Sequence, residues 1–205
     1  MPIEPAEGVA PEDAARAGFY ALLARLFFAA PDAALLGQIV AAGPIGAAGE
    51  GPGLPAAWHR LRAAAAECAP DAAQQEFGEL FVAVTQPQVA LYGSYYLTGA
   101  LMETPLAALR EDLSRLGLAR LQGVFETEDH IAALGEAMRL LILDAGQPEE
   151  IRLERQREFF QKHIAPWYRD LCAAIEQATG ETLYRRIAEF ARVFLDVEAD
   201  SFQIV

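Results

Sequence analysis

The chain has 205 residues, 53% of them hydrophobic, which is enough to bury a sizeable core and too apolar for intrinsic disorder. Its formal net charge of −13 repels phosphate backbones and anionic headgroups, so nucleic acid is excluded as a partner and cationic partners are favoured. No apolar run approaches the roughly 20 residues of a membrane span, which argues against stable membrane insertion.

The N-terminal stretch MPIEPAEGVAPEDAA is acidic and proline-rich. It has neither a basic segment nor an apolar core of the export-signal type, so a soluble, cytoplasmic protein is expected. Pro11-Glu12-Asp13 opens a first helix, with proline at the first helical position and acids in the first turn. Phe19, Leu22, Leu23, Leu26 and Phe27 recur at helical spacing, and Pro31 ends the run. A short helix near 32–42 leads into the Gly/Pro-rich stretch 43–55, read as a flexible loop, and helical patterns resume over about 56–68. A further helix is expected from Asp71, with Gln74 completing a capping box and Phe77, Leu80 and Phe81 on its apolar face.

The segment 85–103, TQPQVALYGSYYLTGALME, breaks the helical pattern and reads as a long loop carrying Tyr92, Ser94, Tyr95 and Tyr96. Thr104-Pro105 restarts a helix ending near Gly117. Another runs from about 128 to 144, with Thr127 as its expected N-cap and Glu128 and Asp129 in its first turn. Pro148 begins a helix through about 163, Pro166 the next, and the last covers roughly 181–197. No segment alternates with period two for long enough to argue for a sheet. The expected fold is all-α: a single-domain helical bundle over 1–205, with about eight to ten helices.

The chemistry concentrates at Glu126-Thr-Glu-Asp129-His130. Metal binding does not fit, because the Glu-x-x-His motif of carboxylate-bridged sites is missing: Glu126 and His130 are four apart, and Glu158 and His163 five. Cys68 and Cys172 stand in Ala-rich patterns without ligand spacing and read as buried thiols. A hydrolase would combine Ser94, His130 and Asp129. However, neighbouring residues on a helix point about 100° apart, which suits a triad poorly. The G-x-S-x-G elbow and the phosphate-binding P-loop are both missing. An Asp-His lock at a helix start and a recognition site both remain open on these residues alone.

Four stretches, in order, carry a resemblance. They are Phe77-Gly-Glu-Leu80-Phe81, Leu91-Tyr92-Gly93-Ser94, Glu126-Thr-Glu-Asp129-His130 continuing to Met138, and His163-Ile-Ala-Pro166-Trp167. Together they resemble the TorD/DmsD family of cytoplasmic chaperones for molybdoenzymes, also called redox enzyme maturation proteins. Leu91 stands where many relatives have proline and Phe77 where some have tryptophan, which leaves the branch and the client open.

The resemblance implies a non-catalytic protein without its own cofactor or metal. Such a protein binds the twin-arginine leader and apoprotein of a molybdopterin oxidoreductase, holds the apoenzyme during cofactor insertion and delays export. It also implies domain-swapped homodimers, for which 43–55 would be the hinge. A basic-then-apolar leader calls for acids beside an apolar-aromatic groove. The expected peptide-binding residues are therefore Phe77, Leu80, Phe81, Tyr92, Ser94, Tyr95, Tyr96, Glu126, Glu128, Asp129 and His130. The alternatives are the small all-α hydrolase and a helical interaction module with no leader specificity.

Overall fold

Prolines and acids set the helix starts in the computed structural model, which describes residues 10–45, 53–82, 87–120, 123, 125–180 and 182–204. Among the described residues ten helices run in order: α1 (Pro11–Phe28), α2 (Ala33–Ala41), α3 (Leu54–Glu67), α4 (Pro70–Phe81), α5 (Gly93–Thr98), α6 (Thr104–Arg115), α7 (Ile131–Ile142), α8 (Glu149–His163), α9 (Tyr168–Ala178) and α10 (Leu183–Ile204). The described residues contain no β-strand, only an isolated antiparallel bridge between Tyr92 and His130. The fold is all-α, as expected. None of the helices is long and apolar enough to cross a membrane among the described residues.

Several boundaries differ from the sequence reading. α4 starts at Pro70, with Ala69 at the cap and no side-chain capping bond, so the Asp71–Gln74 capping box does not form. Proline at the first helical position sets the start one residue earlier. The 85–103 segment is not a single loop, because it contains α5; residues 83–86 lie outside the described ones. The expected hinge 43–55 falls largely on 46–52, also outside the described residues, and α3 already begins at Leu54. α10 continues to Ile204, seven residues beyond the expected end, and buries Phe202. Of the two thiols, Cys172 is buried and Cys68 only half-buried.

The helices group into two compact units, each built from two separated stretches of chain: Met1–Phe27 with Tyr92–Pro166, and Phe28–Leu91 with Trp167–Val205. In the second unit α10 presents Tyr184, Ile187, Phe190 and Phe194, all buried and spaced three or four apart as one helical stripe requires, with Leu183 buried beside them. Trp58 of α3 meets Phe190 at 5.3 Å, and Phe77 and Phe81 of α4 meet Tyr184 at 5.8 and 5.3 Å.

The first unit is built around α7, whose Ile131, Leu134, Met138, Leu141 and Ile142 are buried. Gly135 permits close approach of α1. A Cβ at Gly135 would stand 3.3 Å from the Tyr20 carbonyl oxygen and 3.5 Å from Ala24 Cβ. Gly135→Val should therefore lower unfolding stability by about 1–3 kcal/mol through overpacking. Gly135→Ala should cost less, because about 1 kcal/mol of helix propensity offsets the contact. Urea unfolding of the two variants would check the order.

Candidate functional site

The Glu126–His130 segment is not the first turn of a helix. His130 N–H donates to the Thr127 carbonyl at 3.0 Å, closing a turn, and α7 begins only at Ile131. His130 itself is the N-cap, its Nδ1 accepting the Ala132 N–H at 3.1 Å. Thr127 therefore does not cap α7, and Glu128 and Asp129 precede the helix.

Asp129 is directed away from α7, into the chain around α5. Gly93 N–H donates to the Asp129 carbonyl at 2.9 Å, next to the Tyr92–His130 bridge. The Asp129 carboxylate accepts from Ser94 N–H at 2.9 Å and Ser94 Oγ–H at 2.5 Å on Oδ2, and from Thr127 Oγ1–H at 2.6 Å on Oδ1. Ser94 Oγ in turn accepts the Met102 N–H at 3.2 Å. Met102 adopts φ 60°, the one positive φ among described non-glycine residues. That conformation is disfavoured for an L side chain, so the bond to Ser94 helps hold it. Thr127, Asp129, Ser94 and Met102 thus form one hydrogen-bonded chain, its first three members buried.

The other two acids are also engaged. Tyr92 donates its hydroxyl to Glu126 Oε2, while its ring meets the His130 ring edge-on at 5.0 Å. Burial, then the Glu126 carboxylate, raises the Tyr92 phenol well above its ordinary value, so it stays a donor. Glu128 accepts from Arg110 Nε at 2.9 Å and faces Arg120 Nε at 3.9 Å. Burial pushes the Glu128 carboxyl up, but the bonds and charges of Arg110 and Arg120 outweigh it and leave it below the usual range.

Burial lowers the His130 pKa to about 4 against the pull of Glu126 and Asp129, so the imidazole is neutral near pH 7 and does not sense protonation there. Because the folded value lies below the unfolded one of about 6.5, the unfolded state binds more protons between pH 6.5 and 4. Stability from His130 is present above that window and lost as pH falls through it. His130→Asn keeps a cap acceptor. It should remove about 1–2 kcal/mol of the stability difference between pH 7 and pH 5, read by urea unfolding at both values.

The hydrolase geometry is not formed. Ser94 Oγ donates to Asp129 and His130 Nδ1 is spent on its own helix, so the serine–imidazole bond a triad requires is missing. No cluster of metal-ligating side chains occurs among the described residues.

Of the predicted site residues, Tyr92, Ser94, Glu126, Asp129 and His130 meet in the first unit. Glu128 joins them through the chain, and Tyr95 and Tyr96 follow on α5, their rings 5.3 Å apart. Phe77, Leu80 and Phe81 belong to the second unit; Phe77 and Leu80 are buried there, and Phe81 packs edge-on against Phe77 and Tyr184. Sequence reasoning missed Leu97, Leu101 and Met102, which with Tyr95 are 41%, 50%, 70% and 42% exposed and leave an apolar surface on and after α5. It also missed Arg110 and Arg120, whose pairing with Glu128 is non-local and leaves no local pattern.

A model of the nitrate reductase delta subunit family matches residues 48–173. Among curated proteins, the chain is similar to chaperone protein TorD of two Vibrio cholerae serotype O1 strains, ATCC 39541 (Classical Ogawa O395) and M66-2. It is 28% identical to each over 126 residues, 58% of this chain and 57% of theirs. The match thus spans little more than half the length of these relatives. A crystal structure from Archaeoglobus fulgidus, described as a candidate redox enzyme maturation protein, matches with a TM-score of 0.57 at 20% identity. It covers 89% of this chain and 93% of that one, and it supports the fold. With more than half its length matched by the family model, the chain belongs to the nitrate reductase delta subunit family.

Proposed function

We propose that this protein is a cytoplasmic chaperone of redox-enzyme maturation. In this reading it binds the twin-arginine leader and apo form of a molybdopterin oxidoreductase, assists cofactor insertion and delays export. Family membership and the similarity to TorD support the chaperone class. The observation that carries the binding reading is how the polar atoms near α5 are spent. Asp129, Ser94 and Thr127 bond one another, while Tyr95, Leu97, Leu101 and Met102 stay exposed. A fixed apolar face suits the apolar stretch of a leader, and the nearby carboxylates suit its arginines. The buried acid positions this face and does not touch the leader. The same bonding disfavours the hydrolase, because the nucleophile has no base.

The reading is tested by isothermal titration of a synthetic twin-arginine leader. Saturable binding is expected, weakened when the two arginines become alanines and when Leu101 and Met102 are both replaced by serine. Equal affinity for the arginine-free peptide would favour a generic interaction module instead. Absence of binding by either peptide would overturn the proposal.

A further inference from the structure

We propose that a cleft in the first unit, between α6 and α8, binds a small, multiply charged anion bearing phosphate or carboxylate groups. The cleft has a volume of about 600 Å³ and lies among Asp112, Arg115, Arg155, Glu158, Lys162 and His163. In a chain with 29 acids and 16 lysines and arginines, this lining reverses the balance, with three fixed cations against two carboxylates.

The pairing around the cleft leaves cationic N–H donors over. Asp112 is shared by Arg115, by Lys162 Nζ at 2.6 Å and by His163 Nε2 at 2.7 Å. Within the lining, Asp112 and Glu158 offset two of the three fixed cations. Arg155 forms an ion pair with Asp144 at 3.6 Å, too long for a hydrogen bond, so this pairing does not use its N–H donors. Side-chain exposures of 71% for Arg115, 53% for Lys162 and 34% for Arg155 leave all three open to solvent. Guanidinium carries five N–H donors and ammonium three, so an arriving oxyanion can be bonded without breaking the contacts to Asp112. Beyond about 8 Å at physiological salt the chain's net negative charge is screened, and the local balance decides.

The cleft also limits what it can take. Its aromatic residue, Phe159, is buried and tilted against the His163 ring at 5.0 Å, so no open ring face is offered for stacking a base. A compact polyanion fits better than a nucleotide.

Lys162 is the only lysine in the sequence, so an amine-reactive acylating reagent has one side-chain target besides the α-amino group. Labelling followed by peptide mass spectrometry should show Lys162 acylation slowed several-fold by millimolar pyrophosphate at matched ionic strength, with α-amino labelling unchanged. Protection should disappear in the Arg115→Gln/Arg155→Gln double variant, whose retained fold is checked by its thermal melt. A parallel citrate series separates the sources: protection by pyrophosphate alone assigns phosphate, by citrate alone carboxylate, and by both a general polyanion site. Equal slowing of Lys162 and the α-amine, or undiminished protection in a folded double variant, would overturn the site. Calorimetric titration of wild type with both anions gives a second reading, and no heat from either would overturn it equally.

Discussion

Asp129→Ala should destabilise the protein by at least about 3 kcal/mol, because each buried donor left unsatisfied costs roughly 1–3 kcal/mol and bonds to a charged group lie at the upper end. Three donors lose their acceptor together: Ser94 N–H, Ser94 Oγ–H and Thr127 Oγ1–H. None can turn to solvent without moving α5 or the turn before α7, since Ser94, Thr127 and Asp129 are all buried. Ser94→Ala should cost less, about 1–2 kcal/mol, because Asp129 keeps its bonds to the Ser94 amide and Thr127. Asp129→Asn should fall between them, since it retains one acceptor oxygen but brings an amide NH2 toward donors. Urea unfolding of the three variants at neutral pH gives the order. A loss below about 0.5 kcal/mol for Asp129→Ala, the level of an ordinary surface substitution, would contradict the buried network.

The same geometry bears on how binding data should be read. Losing Asp129 also frees Ser94 Oγ, which holds Met102 at φ 60°. A weaker leader affinity in Asp129→Ala would therefore follow even if no leader atom touches the carboxylate. Asp129 is a positioning residue in this reading, and binding measurements on its variants need the unfolding curve beside them.

The fold was legible where local chemistry decides it. Pro11 with Glu12 and Asp13, Pro105, and Pro148 followed by two glutamates marked helix starts to within a residue or two, since proline and first-turn acids act within one helical turn. α5 was not legible: at six residues it is shorter than two turns, and no apolar period can establish itself over that length. The start of α7 misled for another reason. Thr127 and Asp129 are both better N-caps than histidine by propensity, yet Asp129 turns to Ser94, 35 residues away in sequence, and Thr127 bonds Asp129, which leaves His130 to cap. The aromatic pattern of Phe77 to Phe81 showed an apolar face but not which neighbour covers it. In the structure Tyr184 does, from more than 100 residues further along the chain.

The acids near α7 raise a sharper question about arginine recognition, because Glu128 already holds arginine. Arg110 donates to it at 2.9 Å and Arg120 lies 3.9 Å away, and both guanidiniums are substantially exposed. Exposed pairs of this kind contribute about 0–1 kcal/mol, so an incoming guanidinium can replace one at little cost. Leader binding at Glu128 would then be an exchange of arginines and not the capture of an empty carboxylate.

Two opposite results follow from exchange. Glu128→Gln should weaken twin-arginine leader binding about tenfold, or roughly 1.4 kcal/mol, while Arg110→Ala should strengthen it a few-fold by removing the internal competitor. Raising salt should weaken wild-type binding and affect Glu128→Gln less, since the screened contact is already gone. A brace makes a different pattern: if Arg110 and Glu128 serve only to tie α6 to the turn before α7, both substitutions should weaken binding together. Calorimetric titration of the two variants, with thermal melts to show that each is folded, separates the cases. Parallel losses in Arg110→Ala and Glu128→Gln would remove Glu128 from the recognition surface.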